Sequence, residues 1–597
     1  MHVYGDPQIE VDLARLWRDL AARVTRLPAD PPTDALRELL IASGMVEQAA
    51  HDALAGKRDH RAHPFVARMH AITDFAARAF HADWLRSAAQ AGALAEATRV
   101  QPPRTYVHAL KRETRARVEP KHAILKIPEG FAYNSLYPEQ YCAATWAFIG
   151  ARKARLTGSV LVVGVRSIGT TLSAIVAAAL DCAGIDNHRM TVRPSGSPTS
   201  RELVLDKNVL AGASHAIVVD EGPWTSGSSM AAVGFALERL GLPREAIAFL
   251  PSHRNGPGPK ASPDVRAMWN EVAIFSVPVT APIFGGRTLR EHLNHELANT
   301  LGVRAELLPD EDWRRLAYDD PGDWPPSRGR FATSRYRVRT TSGSLALEFG
   351  GTATIDGQSM VAQALAACEQ RTFGGFAPAP IGMVAGYLAR PWLEGTALRP
   401  SDVDAKLLSS LSHYVSAMAG LPLDSAALAA AQLRRADWAS RHLADALGDS
   451  AAKRAAAYVE AGSVLPPAWA RAAFDYDLAP RCWMRTSEGA IARVGSAATA
   501  HGHTVVGVQP VLWDVASLLV EWDLGRKEAR AVVAEVEAGL GGTRLPRPAL
   551  RAFMLAYIAF KLGELAACQA EADDAAELSR IHDAIGGYCK QVDRLLQ

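Results

Sequence analysis

The run Ala216-Ile217-Val218-Val219-Asp220-Glu221-Gly222-Pro223-Trp224-Thr225-Ser226-Gly227-Ser228-Ser229 carries most of the chemistry in this 597-residue chain. An apolar strand ends on two adjacent carboxylates, and a loop of small, hydroxylated residues then enters a helix near Met230. Amide N–H groups at a helix amino terminus, with the hydroxyls of Thr225, Ser226, Ser228 and Ser229, make a cradle for a phosphate, and Gly227 lets the backbone close around it. Asp220 and Glu221, directly before that cradle, fall within reach of the 2- and 3-hydroxyls of a ribose whose 5-phosphate is held in the loop.

A second strand, tight loop and helix start lies upstream at Val162-Val163-Gly164-Val165-Arg166-Ser167-Ile168-Gly169-Thr170-Thr171. Gly164 and Gly169 permit close backbone approach, and Arg166 offers a planar fork of donors to an anion. A glycine turn with a structural arginine is a common alternative for such a loop. Between the two motifs, Arg193, Arg201 and Lys207 flank Ser195-Gly196-Ser197-Pro198-Thr199-Ser200. These cations suit a departing polyanion or, equally, a solvated surface loop.

Apolar strand, two acids, short spacer and Ser/Thr-Gly-x-Ser/Thr turn together resemble the phosphoribosyl pyrophosphate (PRPP) motif of type I phosphoribosyltransferases, over about Tyr106 to Thr288. The spacer is one residue longer than the common family pattern and contains Pro223 and Trp224. A Ser-rich turn after an acidic strand end in another α/β fold is the competing explanation. The resemblance implies that Asp220 and Glu221 orient the ribose and that Thr225 to Ser229 bind the 5-phosphate. It also makes Val165, Arg166, Ser167, Gly169, Arg201 and Lys207 the pyrophosphate site, with the 193–207 segment as a mobile flap. Mg²⁺ is the implied cofactor, carried by the pyrophosphate and touching Asp220, if at all, through water. No covalent enzyme nucleophile is needed.

The acceptor side of such enzymes is a variable hood. Lys126 to Tyr141 is dense in aromatics, so Phe131, Tyr133 and Tyr137 are candidate acceptor contacts together with Trp224 and His253. Packing between a helical region and the sheet accounts for those tyrosines as well, and a lone loop histidine such as His253 is commonly structural.

Further on, a hairpin around Arg337 to Phe349, the 360–369 helix and the ordering of Arg481-Cys482-Trp483, Ile491-Ala492-Arg493-Val494-Gly495 and Asp514-Val515-Ala516 distantly resemble aminoglycoside-phosphotransferase-like kinases, over about Arg335 to Ala567. The chemistry is missing. Glu348 stands in the strand where a lysine would hold nucleotide phosphates, Gly495 replaces the metal-binding aspartate, and His501-Gly502-His503 lacks the acid. A degenerate kinase-like domain is the expectation, with Asp514 bracing its local fold.

These motifs require particular elements around them. Apolar residues at helical spacing, such as Leu13, Leu16, Leu20 and Val24, predict a helical region over 1–105. Strands at 160–165, 190–192, 216–219 and 246–250 alternate with helices at 170–180 and 229–240, which predicts a parallel α/β sheet of type I phosphoribosyltransferase form over 106–290. The turn-rich 319–326 stretch suggests a linker at 291–330, before a mostly helical α+β kinase-like domain over 331–597.

Composition agrees with a folded, multidomain chain: 48% of residues are hydrophobic and 21% charged. With 65 Lys plus Arg against 63 Asp plus Glu, no global field draws it to nucleic acid or a membrane surface. Six scattered cysteines without a C-x-x-C pair, no signal-peptide pattern and no long apolar span predict a cytoplasmic protein, with a homodimer open. The expected activity is transfer of ribose 5-phosphate from PRPP to an unidentified small-molecule acceptor with release of pyrophosphate. The alternatives are a PRPP- or nucleotide-binding regulator without turnover, or a bifunctional phosphoribosyltransferase and small-molecule kinase.

Overall fold

The computed structural model describes residues 4–55, 63–90, 101–114, 121–210, 212–223, 226–308, 312–355, 358–462, 464–494, 504 and 506–597. Asp12 ends a strand, β1 (Gln8–Asp12), and its carboxylate accepts the Ala14 N–H at 3.1 Å, starting α1 (Leu13–Arg26). Leu13, Leu20 and Val24 of the expected stripe are buried, while Leu16 is half-buried and Trp17 takes its place on the buried face. With α2 (Thr33–Leu54), α3 (Pro64–Gln90) and α4 (Pro103–Glu113) it completes the expected helical region.

That region is a layer of the α/β unit rather than a detached bundle. One core joins Leu40, Met45, Ile72 and Phe80 to Val162 and Ile175. Helix α4 crosses the boundary expected at 105, and β1 pairs antiparallel with β2 (His122–Lys126) beyond it.

After α5 (Glu129–Ala132) and α6 (Pro138–Arg152) come β3 (Ser159–Val165), α7 (Ile168–Cys182), β4 (Asn187–Val192), a small hairpin β5 (Ser195–Ser197) and β6 (Ser200–Glu202), and β7 (Ala213–Val219). Then follow α8 (Ser228–Arg239), β8 (Ile247–Leu250), α9 (Pro263–Glu271) and β9 (Ala273–Ile274). The strands form a parallel sheet in the order β4-β3-β7-β8-β9. Its central strands are buried on both faces, which is why 160–165 of β3 and 216–219 of β7 read as continuous apolar runs. Val160 and Val162 face α7 and the helical layer, whereas Leu161, Val163 and Val165 face α8 and α9.

The segment expected to be a linker carries structure. Leu289, Leu293 and Leu297 repeat every four residues on α10 (Leu289–Leu301), which opens on a Thr288–Glu291 capping box and ends at Gly302 with φ +66°. β10 (Ala305–Leu307) then edges an antiparallel sheet; α11 (Trp313–Ala317) and the turn-rich 319–326 stretch lead to its next strand. The expected hairpin is β11 (Arg335–Thr340) and β12 (Gly343–Phe349), with Thr340 opposite Gly343. A short hairpin, β13 (Thr354–Ile355) and β14 (Gln358–Ser359), precedes α12 (Met360–Phe373), β15 (Gly382–Val384) and β16 (Tyr387–Pro391), and the sheet order is β10-β11-β12-β16-β15.

The remainder is mostly helical. β17 (Gly395–Ala397), α13 (Ala405–Met418), α14 (Ser425–Leu447) and α15 (Asp449–Ala461) precede β18 (Trp483–Thr486) and β19 (Ile491–Arg493). They are followed by α16 (Leu512–Glu521), α17 (Arg526–Gly539), α18 (Arg547–Gln569) and α19 (Ala575–Leu596) around one core rich in tryptophan. Among the described residues no helix is long and apolar enough to cross a membrane, and Cys142, Cys182, Cys368, Cys482, Cys568 and Cys589 are unpaired thiols.

Candidate functional site

From β3 the chain crosses to β4 on one edge and returns to lay β7 on the other edge of β3. The strand order reverses there, and such a point opens a crevice at the carboxyl ends of the two strands. The loops that follow β3 and β7 are the two motifs singled out in the sequence.

In the first loop the glycines serve close packing. A Cβ on Gly164 would stand 2.2 Å from the Gly169 carbonyl oxygen, and one on Gly169 would stand 2.7 Å from the Val219 oxygen. Both must be bare for α7 to lie against β3 and β7. Val165 ends the strand, and Ser167 holds φ at +109°, a strained value for a non-glycine residue at the helix entrance.

Arg166 is 5% exposed and turns toward α2. Its Nη1 donates to Asp52 Oδ1 at 2.7 Å and to His51 Nδ1 at 2.8 Å. Arg193, one residue beyond β4, donates Nε to the same Asp52 oxygen at 3.0 Å and Nη2 to Asp52 Oδ2. Burial opposes the Asp52 charge, but the Arg193 hydrogen bond and the charges of both arginines hold its carboxyl below the usual range. Burial and Arg166 push His51 down to about 4, so it is a neutral acceptor.

Across the crevice the two acids differ. Asp220 is half-buried; its Oδ1 accepts the Glu221 N–H at 2.9 Å, and its backbone oxygen accepts the Tyr141 hydroxyl at 2.7 Å. Burial drives the Asp220 carboxyl well above the usual range, and the charges of Glu221 and Asp6 add to the rise. Glu221 instead grips the hood, accepting Gly130 N–H at 2.9 Å and Asn134 Nδ2 at 2.8 Å. Asp6, delivered by the segment before β1, accepts the Glu129 N–H at 2.9 Å.

The hydroxyls of Ser226 and Ser228 hold the β5–β6 hairpin. Ser226 Oγ and Ser228 Oγ are buried and donate to the Pro198 carbonyl at 2.7 and 2.9 Å, folding the β5–β6 hairpin against the start of α8. Gly227 adopts φ +68° and its oxygen accepts Trp269 Nε1 at 3.1 Å. Ser229 is half-buried in the first turn of α8. Arg201 donates to the Gly196 carbonyl at 2.6 Å within the hairpin, and Lys207 is exposed. Trp224 and Thr225 lie outside the described residues.

The hood divides. Phe131 is fully buried, and its carbonyl accepts Thr352 N–H at 2.7 Å. Tyr137 is also fully buried, donates to the Ala385 carbonyl at 2.9 Å and packs edge-on to Phe284 and Phe349. These two form a seam between the α/β unit and the antiparallel sheet. Tyr133 is 9% exposed, and burial beside Glu129 and Asp6 raises its phenol. His253 caps the acid loop, since a Cβ on Gly222 would meet its Nε2 at 2.3 Å.

Asp6, His51, Asp52, Asn134 and Tyr141 therefore join the site beyond the residues picked from the sequence. Asn134 and Tyr141 sit in the aromatic run already noted. The other three come from elements more than a hundred residues away, where local pattern gives no signal.

The carboxy-terminal half places its acids differently. Asp475 is fully buried between Arg371 and Arg493, with Arg493 Nε and Nη2 donating at 3.0 Å and Tyr414 also donating to it. Asp477 is held by Arg328 at 2.8 Å, by Arg481 and by Lys561 at 3.8 Å, cations that keep its carboxyl far below the usual range despite burial. Glu348 is 2% exposed and pairs with Arg335 at 2.7 Å and Arg390 at 3.5 Å. Asp514 accepts three backbone N–H groups, from Phe474 at 2.8 Å, Asp475 at 3.2 Å and Tyr476 at 2.8 Å. It braces the turn that carries Asp475 and Asp477. Gly495, His501, Gly502 and His503 lie outside the described residues. Among the described residues no group of three or more His, Cys, Asp or Glu side chains could hold a metal ion.

No protein-family model matches the chain, and no curated protein does. Solved structures do. Choline kinase LicA from Streptococcus pneumoniae is similar at 11% identity and a TM-score of 0.32, covering 50% of this chain and 98% of that one. An ethanolamine kinase from Plasmodium vivax is similar at 9% identity and a TM-score of 0.32, covering 52% and 86%. A choline kinase from Cryptosporidium parvum is similar at 8% identity and a TM-score of 0.30, covering 49% and 91%.

Proposed function

We propose that the α/β unit is a phosphoribosyltransferase that moves the ribose 5-phosphate of PRPP to a small-molecule acceptor. The observation that carries this reading is the pairing of two anion-suited loops, 164–169 and 220–229, on neighbouring parallel strands β3 and β7 at the reversal of strand order. In this reading the N–H groups at the start of α8 receive the 5-phosphate, and opening of the β5–β6 hairpin releases Ser226 and Ser228 from Pro198 to join them. Asp220 accepts hydrogen bonds from the ribose hydroxyls and, once ionised, stabilises positive charge developing at the anomeric carbon. The bond from that carbon to the diphosphate oxygen breaks with its electron pair on the diphosphate, and a lone pair of the acceptor forms the new bond. Glu221 holds the hood in place over this centre through Gly130 and Asn134, and orientation of the two reactants supplies much of the rate.

Mg²⁺ fits as a passenger of the diphosphate, neutralising charge as it leaves. The single half-buried carboxylate of Asp220 suits an ion whose remaining ligands are phosphate and water better than a cage made of protein alone.

The carboxy-terminal half, in this reading, is a kinase-like scaffold without phosphoryl transfer. Asp475 and Asp477 are both tied to arginines, which leaves neither as a base or metal ligand.

Incubating the full chain with PRPP, Mg²⁺ and a metabolite extract is expected to yield a phosphoribosyl adduct and pyrophosphate, read by mass spectrometry. Asp220→Ala is expected to abolish the adduct. Absence of PRPP binding in the wild type would overturn the proposal, whereas binding without product across a broad acceptor screen would favour a PRPP-responsive regulator.

A further inference from the structure

Four cations from four separate segments face one another at the mouth of the first loop: Lys126 at the end of β2, Arg166 after β3, Arg193 after β4 and Arg201 in β6. Arg193 opposes the charge of each of the other three, and Arg201 opposes that of Lys126 as well. Burial and then Arg193 and Arg201 lower the Lys126 ammonium, burial and Arg193 lower Arg201, and burial brings Arg166 down to about 10 with Arg193 adding to the fall. Carboxylates face them in turn, Asp6 toward Lys126, Glu47 toward Arg166 and Asp220 toward Arg193, and Asp52 of the helical layer hydrogen-bonds two of the cations at once. Asp52, two residues from the end of α2, receives Arg166 on Oδ1 at 2.7 Å and Arg193 on both oxygens, and Gln48 Nε2 steadies it at 3.0 Å.

A carboxylate bridging two arginines offers them paired anionic oxygens, as one end of a diphosphate does. It also sits beside the loop where, on the phosphoribosyltransferase reading on which this inference rests, the diphosphate belongs. We infer that Asp52 is an internal counter-ion that occupies the place of the diphosphate on Arg166 and Arg193 and must leave them when the donor binds. Geometry supports the exchange: Asp52 already places an anion between Arg166 and Arg193, and a diphosphate brings more negative charge to the same two guanidinium groups. The helical layer would then control access to the donor site, because Asp52 withdraws only if the end of α2 moves or its side chain swings away. In the occluded form the arginines are kept in place and neutralised, so the buried Arg166 guanidinium and the half-buried Arg193 guanidinium do not face each other without an anion.

Calorimetric titration of the full chain with inorganic pyrophosphate, and separately with PRPP, tests this. Asp52→Asn keeps the side-chain shape and removes the charge, and is expected to bind pyrophosphate at least about tenfold tighter than the wild type, because an occluded state no longer competes. Asp181→Asn, which takes a carboxylate from Arg78 at the far end of α7, is expected to leave the affinity unchanged. Arg193→Gln preserves the Arg166–Asp52 pair and is expected to weaken pyrophosphate binding about tenfold or more; it decides the matter should Asp52→Asn fail to fold. Pyrophosphate binding that is equal or weaker in Asp52→Asn, or unchanged in Arg193→Gln, overturns the inference while leaving the donor assignment intact. Failure of wild type and Asp52→Asn alike to bind either pyrophosphate or PRPP overturns the donor assignment itself.

Discussion

Replacing Glu221 by glutamine tests how the hood is fastened. The carboxylate accepts the Gly130 N–H at 2.9 Å and Asn134 Nδ2 at 2.8 Å, one bond on each oxygen. A glutamine has only one acceptor oxygen, so whichever way its amide turns, an NH₂ group faces a donor. One charge-assisted bond, worth about 1.5–3 kcal/mol, is lost, and the other weakens as the charge disappears. Gly130 lies in α5, whose other end is tied to Thr352 through the Phe131 carbonyl, so the loss falls on local opening of 129–137 rather than on global unfolding. Since each 1.36 kcal/mol is a factor of ten, amide exchange across 129–137 should accelerate about ten- to hundredfold. Strands β3 and β7 should keep their protection. Hydrogen exchange read by mass spectrometry resolves both segments in one experiment. Unchanged protection over 129–137 would refute the claim that Glu221 holds the hood.

Asp475→Ala leaves Arg371 and Arg493 buried without their shared carboxylate and is expected to cost about 3–5 kcal/mol, read as a lowered denaturation midpoint in the tryptophan fluorescence of the carboxy-terminal core. Gly164→Ala forces a methyl to within 2.2 Å of the Gly169 oxygen and should cost at least about 1–3 kcal/mol in thermal unfolding, with α7 displaced from β3. Burial presses His51 and His81 down to about 4 and, with Arg37 adding, His292 to about 3. Because these bases are depressed in the folded state, their contribution is complete above the unfolded value of 6.5 and is lost as pH falls toward 4. The melting temperature should accordingly begin to drop below about pH 6.5, before ordinary carboxylates titrate. His81→Gln should flatten that limb of the curve.

The sequence made the α/β core legible because its strands are buried on both faces and its glycines and acids are gathered in two short loops. Val160 to Val165 and Ala216 to Val219 announce themselves as apolar runs, and Gly164, Gly169 and Gly227 mark turns whose tightness follows from chemistry. What escaped was either distant or masked by a stronger local signal. The turn-rich 319–326 stretch reads as a linker and hides the Leu289-Leu293-Leu297 stripe just before it, so α10 and β10 go unseen. Asp52 and Asp6 reach the crevice only through the packing of α2 and the pairing of β1 with β2, contacts about seventy or more residues apart in the chain. Phe131 and Tyr137 look like binding aromatics by type, yet serve as packing because the antiparallel sheet covers them. Asp475 and Asp477 carry no motif by themselves, and apart from Arg481, four residues beyond Asp477, their arginine partners come from α12, β19 and the stretch before β11.

The segment before β1 ties the two ends of the molecule together. Tyr4 stacks on Phe331 at 3.8 Å, bridges to Thr504 and belongs to the carboxy-terminal core, while Asp6, two residues on, faces the acid loop of the α/β unit. During synthesis Thr504 emerges 500 residues after Tyr4. At about 5–20 residues per second that is a delay of roughly 25–100 s. The α/β sheet, with the β1–β2 pairing and the Glu129 N–H that hold Asp6, can form on the ribosome well before then, but Tyr4 gains its own anchorage only when the carboxy-terminal core is complete. A nascent chain therefore builds its crevice first, and the carboxy-terminal core, made last, clasps the residue two positions before Asp6.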